Sequence, residues 1–239
     1  MKKNLLLFFV CLMAATSFAQ QLRVPKLTPL KAPTKADLVT GQPAGELRVY
    51  KRSGGATMAS LFFENDRRQD GMVAQVVFAE DGETVWFKNI ISHAATGTWV
   101  KGTIVGDEIH VPYGQLVYWF DEPTDQDGNP EAPYGMQLAG VTVNGSITNY
   151  TSTTDGYATF AIDGDNLTLV GTYGDIAENQ FKGLGLTYTN NYNGEWSYYL
   201  DFETVLERVN ADGVTPPAGL QTEQYALTNG IYGHLIKVG

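Results

Sequence analysis

Side chains that change sides every second residue, in short runs cut by turn dipeptides, restrict this chain to pleated, hairpin-joined structure. The clearest run is EWSYYLDFE, where Trp196, Tyr198, Leu200 and Phe202 fall on one side and Glu195, Ser197, Tyr199, Asp201 and Glu203 on the other. Successive strand side chains point to opposite faces, so this spacing predicts one apolar face on a core and one face in water. From residue 46 onward, Asp70-Gly71, Asp81-Gly82, Gly106-Asp107, Asp127-Gly128, Asp155-Gly156, Asp163-Gly164 and Asn193-Gly194 separate segments rich in Val, Ile, Thr and aromatic residues. That punctuation is the mark of tight hairpins. It pairs ATFAI (158–162) with NLTLVGT (166–172), and LGLTYT (184–189) with the Trp196 run. Helix-compatible spacing is confined to FETVLERVN, 202–210. About ten short strands and no crossover helix predict an all-β antiparallel meander, closed as an up-and-down barrel or folded as a two-sheet β-sandwich. Strands interrupted by Gly or charge, between loops of similar size, fit a membrane-spanning barrel poorly.

Ahead of this body stands MKKNLLLFFVCLMAATSFAQ, with Lys2 and Lys3, an apolar run from Leu5 to Ala15, and Ser17 and Ala19 at the small-residue cleavage positions. The order of these features predicts a signal peptide over 1–19, cleaved near Ala19, and a secreted, periplasmic or cell-surface protein with no membrane span. Cys11, the single cysteine, follows Phe8, Phe9 and Val10 and lacks the setting of a lipidated cysteine. It is expected to leave with the leader, so an ordinary core and not disulfides must hold the fold. Residues 20–45 carry prolines at 25, 29, 33 and 43, too closely spaced for a helix or a central strand, and read as a linker or an edge arm, with a solvated tether expected.

Charge narrows the partners. The chain has a formal net charge of −10, and residues 46–239 hold 25 acidic against 10 basic side chains. Nucleic acid and anionic lipid are poor partners for such a surface, which leaves sugars, cations and proteins.

The segment TWVKGTIVGDEIHVPYGQ, Thr98 to Gln115, reads as a hairpin with its turn at Gly106-Asp107. Ile109, Val111 and Tyr113 are expected to alternate outward on the return strand, with Pro112 ending the pairing. Together with DGETVWFKNI and PPAGLQTEQYAL, it resembles a family of secreted bacterial β-rich repeat proteins of unassigned function, in which a unit opening on Pro-Ala-Gly recurs. The resemblance implies an exported, repeat-built protein and no reaction or ligand. In this chain Pro217-Ala218-Gly219 echoes Pro43-Ala44-Gly45. Beside a β domain over 46–210, residues 211–239 are then either a linker with a strand closing on the first one, or the start of a second repeat.

Three groups of residues could carry chemistry. The loop DEPTDQDGNPEAP gathers Asp125, Asp127, Asn129 and Glu131, oxygen ligands of the kind calcium takes, although its Gly128 is misplaced for an EF-hand; a solvated acidic loop is the alternative. Asp201 and Glu203 on one strand face would hold carboxylates about 6–7 Å apart by strand rise. That is near the spacing of an inverting glycosidase, with a wet strand face as the alternative. Tyr192, Tyr199 and Trp119 are candidate platforms on which a sugar ring could stack. No G-x-S-x-G, P-loop, H-E-x-x-H or dinucleotide fingerprint occurs, and His93, His110 and His234 are scattered. The reading is a non-enzymatic exported module that binds a glycan or another surface protein, with no cofactor other than the calcium the loop would take. A carbohydrate hydrolase and a structural repeat of a larger surface protein are the alternatives.

Overall fold

The structure is a computed structural model that describes residues 32–53, 55–59, 73–92, 94, 96–125, 127–170, 174–175, 178, 180–190, 194–209, 224–227 and 235–238. The chain is all-β and antiparallel, and the only helical element among the described residues is a 3-10 turn, Lys35–Asp37. Strands β1 (Glu46–Ser53) and β2 (Ala56–Ala59) are followed by the meander β3 (Val73–Phe78), β4 (Thr84–Lys88), β5 (Trp99–Val105) and β6 (Glu108–Pro112). Then come β7 (Leu116–Phe120), β8 (Tyr134–Asn144), β9 (Tyr150–Thr153), and the hairpin β10 (Tyr157–Asp163) with β11 (Asn166–Leu169). The chain continues through β12 (Gly174–Asp175), β13 (Gln180–Tyr188), β14 (Trp196–Phe202) and β15 (Val205–Arg208) to β16 (Gln224–Leu227) and β17 (Leu235–Val238).

Eight of these strands close a barrel in the order β1-β15-β11-β10-β6-β5-β4-β3. Seven others form a second sheet, β2-β14-β13-β8-β7, with β9 on β8 and β12 on β13. Within the barrel, β3 to β6 run up and down in chain order, as do β10 and β11. Elsewhere the chain leaves the barrel at β2, at β7–β9 and at β12–β14, building the second sheet from three excursions. Both hairpins read from the sequence are present, with Ile162 opposite Leu167 and Thr187 opposite Trp196. The expected helix at 202–210 is instead the end of β14, a corner, and β15.

That corner joins the two sheets. The β1–β15 ladder ends at Ser53 opposite Val205, and the β2–β14 ladder begins at Phe202 opposite Ala56, so one ribbon turns from barrel into sheet. The turn is made by Gly55 at φ 57° and Glu203 at φ 53°. Only glycine fits at the first of these, because a Cβ on Gly55 would lie 2.2 Å from the Phe202 carbonyl oxygen.

Inside, the barrel and one face of the second sheet share a single core. Val76, Val85, Val100, Ile109, Phe160 and Leu167 from the barrel cluster with Met136, Leu138, Leu184, Leu186 and Tyr199 from the sheet. Ile109 and Val111 therefore point inward, against the expected outward alternation: their strand closes a barrel, and its apolar side faces the barrel axis. An eight-stranded barrel is just wide enough for its own side chains to fill. Its interior is packed accordingly, with Val76, Val85, Ile109 and Val111 fully buried. On the opposite face of the sheet, Val141, Val143, Phe181, Trp196, Leu200 and Phe202 form a second cluster.

Two further expectations change. Of the segment 20–45, the described part is an ordered arm and not a tether: the Trp99 N–H donates to the Val39 carbonyl at 2.8 Å, and Lys35 pairs with Asp121 next to β7. The tail does not close on the first strand, because β1 already has β3 on one side and β15 on the other. Strands β16 and β17 pair with each other as a separate two-stranded sheet.

Candidate binding site

Where the second sheet parts from the barrel, a cleft of about 610 Å³ opens between β8, β9 and β13 on one side and β10 and β11 on the other. That volume falls within the range of about 300–1,000 Å³ typical of small-molecule sites. Its origin is a gradient along two strands. On the barrel-facing side of β8, Leu138 gives way to Gly140 and then to Thr142; on β13, Leu186 gives way to Leu184 and then to Lys182. The large apolar side chains stop, so the contact between the layers stops with them. Gly140 leaves room for the ring of Tyr113, since a Cβ there would come within 2.9 Å of that ring. The Tyr113 N–H donates to the Gly156 carbonyl at 3.0 Å, and burial pushes its hydroxyl pKa up.

The cleft combines hydroxyls with aromatic surface. Thr142, Thr151 and Thr153 line it from the sheet, and Asp155, Tyr157 and Thr159 from the turn and strand beyond. Tyr157 is 51 % exposed and Val170 45 % exposed. Among the described residues only one other large apolar side chain, Val105, is as open to water, and Tyr157 and Val170 both belong to this cleft. The Tyr157 ring stacks on His110 with centroids 4.1 Å apart and planes 15° apart. His110 Nε2 lies 2.8 Å from Glu108 Oε2, which fixes the imidazole beneath the tyrosine.

The residues singled out from sequence lie elsewhere. Tyr199 is 4 % exposed and belongs to the shared core, so burial pushes its hydroxyl pKa up; it offers no stacking surface. Trp119 is half-buried on β7 opposite Gly135, away from the cleft walls, and Tyr192 lies outside the described residues. Asp201 is 1 % exposed and Glu203 is exposed at the corner, so the two carboxylates do not flank a common space. The face expected to be wet packs against the barrel instead. In β14, Tyr198 has φ 61°, and the register with β13 slips between Gly185 and Thr187, a β-bulge. The Trp196 indole N–H spans it by donating to the Tyr199 carbonyl at 3.0 Å.

Asp201 has a different task. Its carboxylate accepts from the Ser92 N–H at 2.8 Å and the Ser92 hydroxyl at 2.7 Å, and lies 3.4 Å from Arg52 Nη1. Arg52 also donates to the carbonyls of Asn89 and Ile90, at 2.9 and 3.1 Å. Burial lowers the Arg52 pKa, and the charge of Asp201 opposes that shift. A buried ion pair with these extra hydrogen bonds is a fastening between β1, β14 and the β4–β5 loop.

In the acidic loop, Asp125 spends both carboxylate oxygens on the loop itself, accepting from the Asp127 and Asn129 N–H groups and from the Asn129 side-chain amide at 2.9, 2.8 and 2.9 Å. These bonds, the Asn129 side chain foremost, lower its pKa. Asp127 and Asn129 are exposed and Glu131 is half-buried. Neither here nor elsewhere among the described residues do three His, Cys, Asp or Glu side chains converge as metal ligands.

The residues that do line a cleft carried a signal in the sequence: four consecutive hydroxyl residues, Thr151 to Thr154, followed by Asp155-Gly156 and Tyr157. No protein-family model matches the chain, and neither a curated protein nor a solved structure matches it.

Proposed function

We propose that the protein is an exported, non-enzymatic β-module that binds an extracellular saccharide in the cleft between its second sheet and its barrel. The observation that carries this reading is Tyr157, an exposed ring held flat by His110 at the edge of a hydroxyl-lined cleft. Sugars present apolar C–H faces and rims of hydroxyls; an aromatic ring matches the first, and threonine hydroxyls, each donor and acceptor, match the second. A ring already fixed loses little freedom on binding. The net charge of −10 disfavours nucleic acid and leaves a largely uncharged ligand open. The leader-like N-terminus supports a place outside the cytoplasm.

The test is a glycan array read with the parent protein and with Tyr157→Ala. Binding that falls by about tenfold or more in the variant supports the proposal. An array with no bound glycan, or binding indifferent to Tyr157→Ala, refutes it.

A second reading, a repeat of a larger surface protein, draws support from β16 and β17, which pair with each other and with no strand of the barrel or second sheet. Concentration-dependent self-association without any soluble ligand would favour it.

A further inference from the structure

Two rows of side chains cross the sheet wall of the cleft. In the outer row Lys182 stands opposite Thr142, and Thr142 opposite Thr151; in the inner row Leu184 stands opposite Gly140, and Gly140 opposite Thr153. Directly opposed residues share a face, with Cβ atoms about 4.5–5.5 Å apart. The outer row therefore presents an ammonium and two hydroxyls in one line, all three exposed and all three in the cleft wall. Lys182 makes no ion pair with any described residue. A flexible cation at the end of a row of hydroxyl donors is suited to a carboxylate, which accepts from an ammonium and from a hydroxyl.

The surroundings limit how much negative charge such a ligand can bear. Asp155 lines the same cleft, and the chain as a whole has a net charge of −10. A densely charged polyanion meets that field along its whole length, whereas a single carboxylate can be matched by the one Lys182 ammonium. The Tyr157 ring remains available for a neutral sugar.

We infer that the cleft selects a saccharide bearing a single carboxylate, such as one uronic acid unit in an otherwise neutral chain, with the charge on the Lys182–Thr142–Thr151 row and a pyranose ring on Tyr157. This rests on the saccharide reading above and narrows it to a class.

Calorimetric titration of the full chain with three probes tests it: a neutral hexose oligomer, the same oligomer carrying one uronic acid unit, and an all-uronate oligomer of equal length. The singly charged probe is expected to bind about tenfold tighter than the neutral one, and the all-uronate probe more weakly than the singly charged one. Lys182→Met is expected to abolish the preference, so that the singly charged probe binds no tighter than the neutral one. Equal affinity of the parent for the neutral and singly charged probes overturns the inference and leaves the saccharide reading standing. So does a preference that survives Lys182→Met, or tightest binding of the all-uronate probe. If the parent binds none of the three, the saccharide reading falls, and the inference with it. Because Lys182 is exposed, an unchanged unfolding curve for Lys182→Met shows that the variant is folded.

Discussion

The guanidinium of Arg52 on β1 lies 3.4 Å from the carboxylate of Asp201 on β14, and both side chains are almost wholly buried. The two strands belong to the ribbon that turns from barrel into second sheet, so the pair sits beside the joint between the layers. Ser92 and the carbonyls of Asn89 and Ile90 engage the same two groups. A carboxylate held this way is committed to the fold.

Removing one partner strands the other charge. Asp201→Asn and Arg52→Met should each cost about 3–5 kcal/mol in urea-induced unfolding, whereas Arg52→Met combined with Asp201→Leu should recover much of that loss. Single variants costing less than about 1 kcal/mol would show that the pair is effectively solvated.

The corner makes a second demand. Gly82 and Gly55 both have positive φ, but a Cβ on Gly82 meets nothing within 4 Å, while one on Gly55 meets the Phe202 carbonyl oxygen. Gly82→Ala should cost about 1–2 kcal/mol, the usual left-handed penalty. Gly55→Ala should cost clearly more, because the β14 backbone must move. Equal midpoint shifts for the two variants in chemical denaturation would contradict the corner as described.

At Gly140 the neighbour is the far end of a tyrosine ring, which can move at small cost. Gly140→Ala should therefore leave unfolding nearly unchanged while displacing Tyr113 and weakening saccharide binding several-fold. A variant that binds as tightly as the parent would remove Tyr113 and Gly140 from the site.

Asp125 titrates below the ordinary aspartate range because Asn129 and neighbouring amides hydrogen-bond its charged form. A carboxyl whose folded pKa is depressed stabilises the loop fully above the unfolded value of about 3.9, and that support is lost as pH falls through the lower folded value. Carboxyl NMR titration should place the Asp125 midpoint below about 3.9, and Asn129→Ala should raise it. A midpoint unmoved by Asn129→Ala would assign the shift to something else.

Local structure was legible in the sequence where a turn and two alternating runs lie close together. The Asp163-Gly164 turn sets β10 against β11, and β13 pairs with β14, the next long strand in the chain, because each hairpin is specified within about twenty residues. The route of the chain between two sheets was not legible. It depends on Gly55 and Glu203, far apart in sequence, turning the same corner, and Glu203 carries no local mark of its positive φ. The same distance concealed the role of Asp201. Polar residues at every second position predict a wet face, and only the approach of Arg52 and Ser92 shows that one of them is a buried ion-pair partner. Likewise, Tyr157 reads as one more strand aromatic until β6 brings His110 beneath it.

Hydrogen–deuterium exchange of the parent protein, with and without a saturating oligosaccharide taken from the glycan array, tests the cleft most directly. Slowed exchange confined to residues 151–159 and 180–184 is the expected result. Protection that leaves both segments unchanged and appears elsewhere in the chain would contradict it.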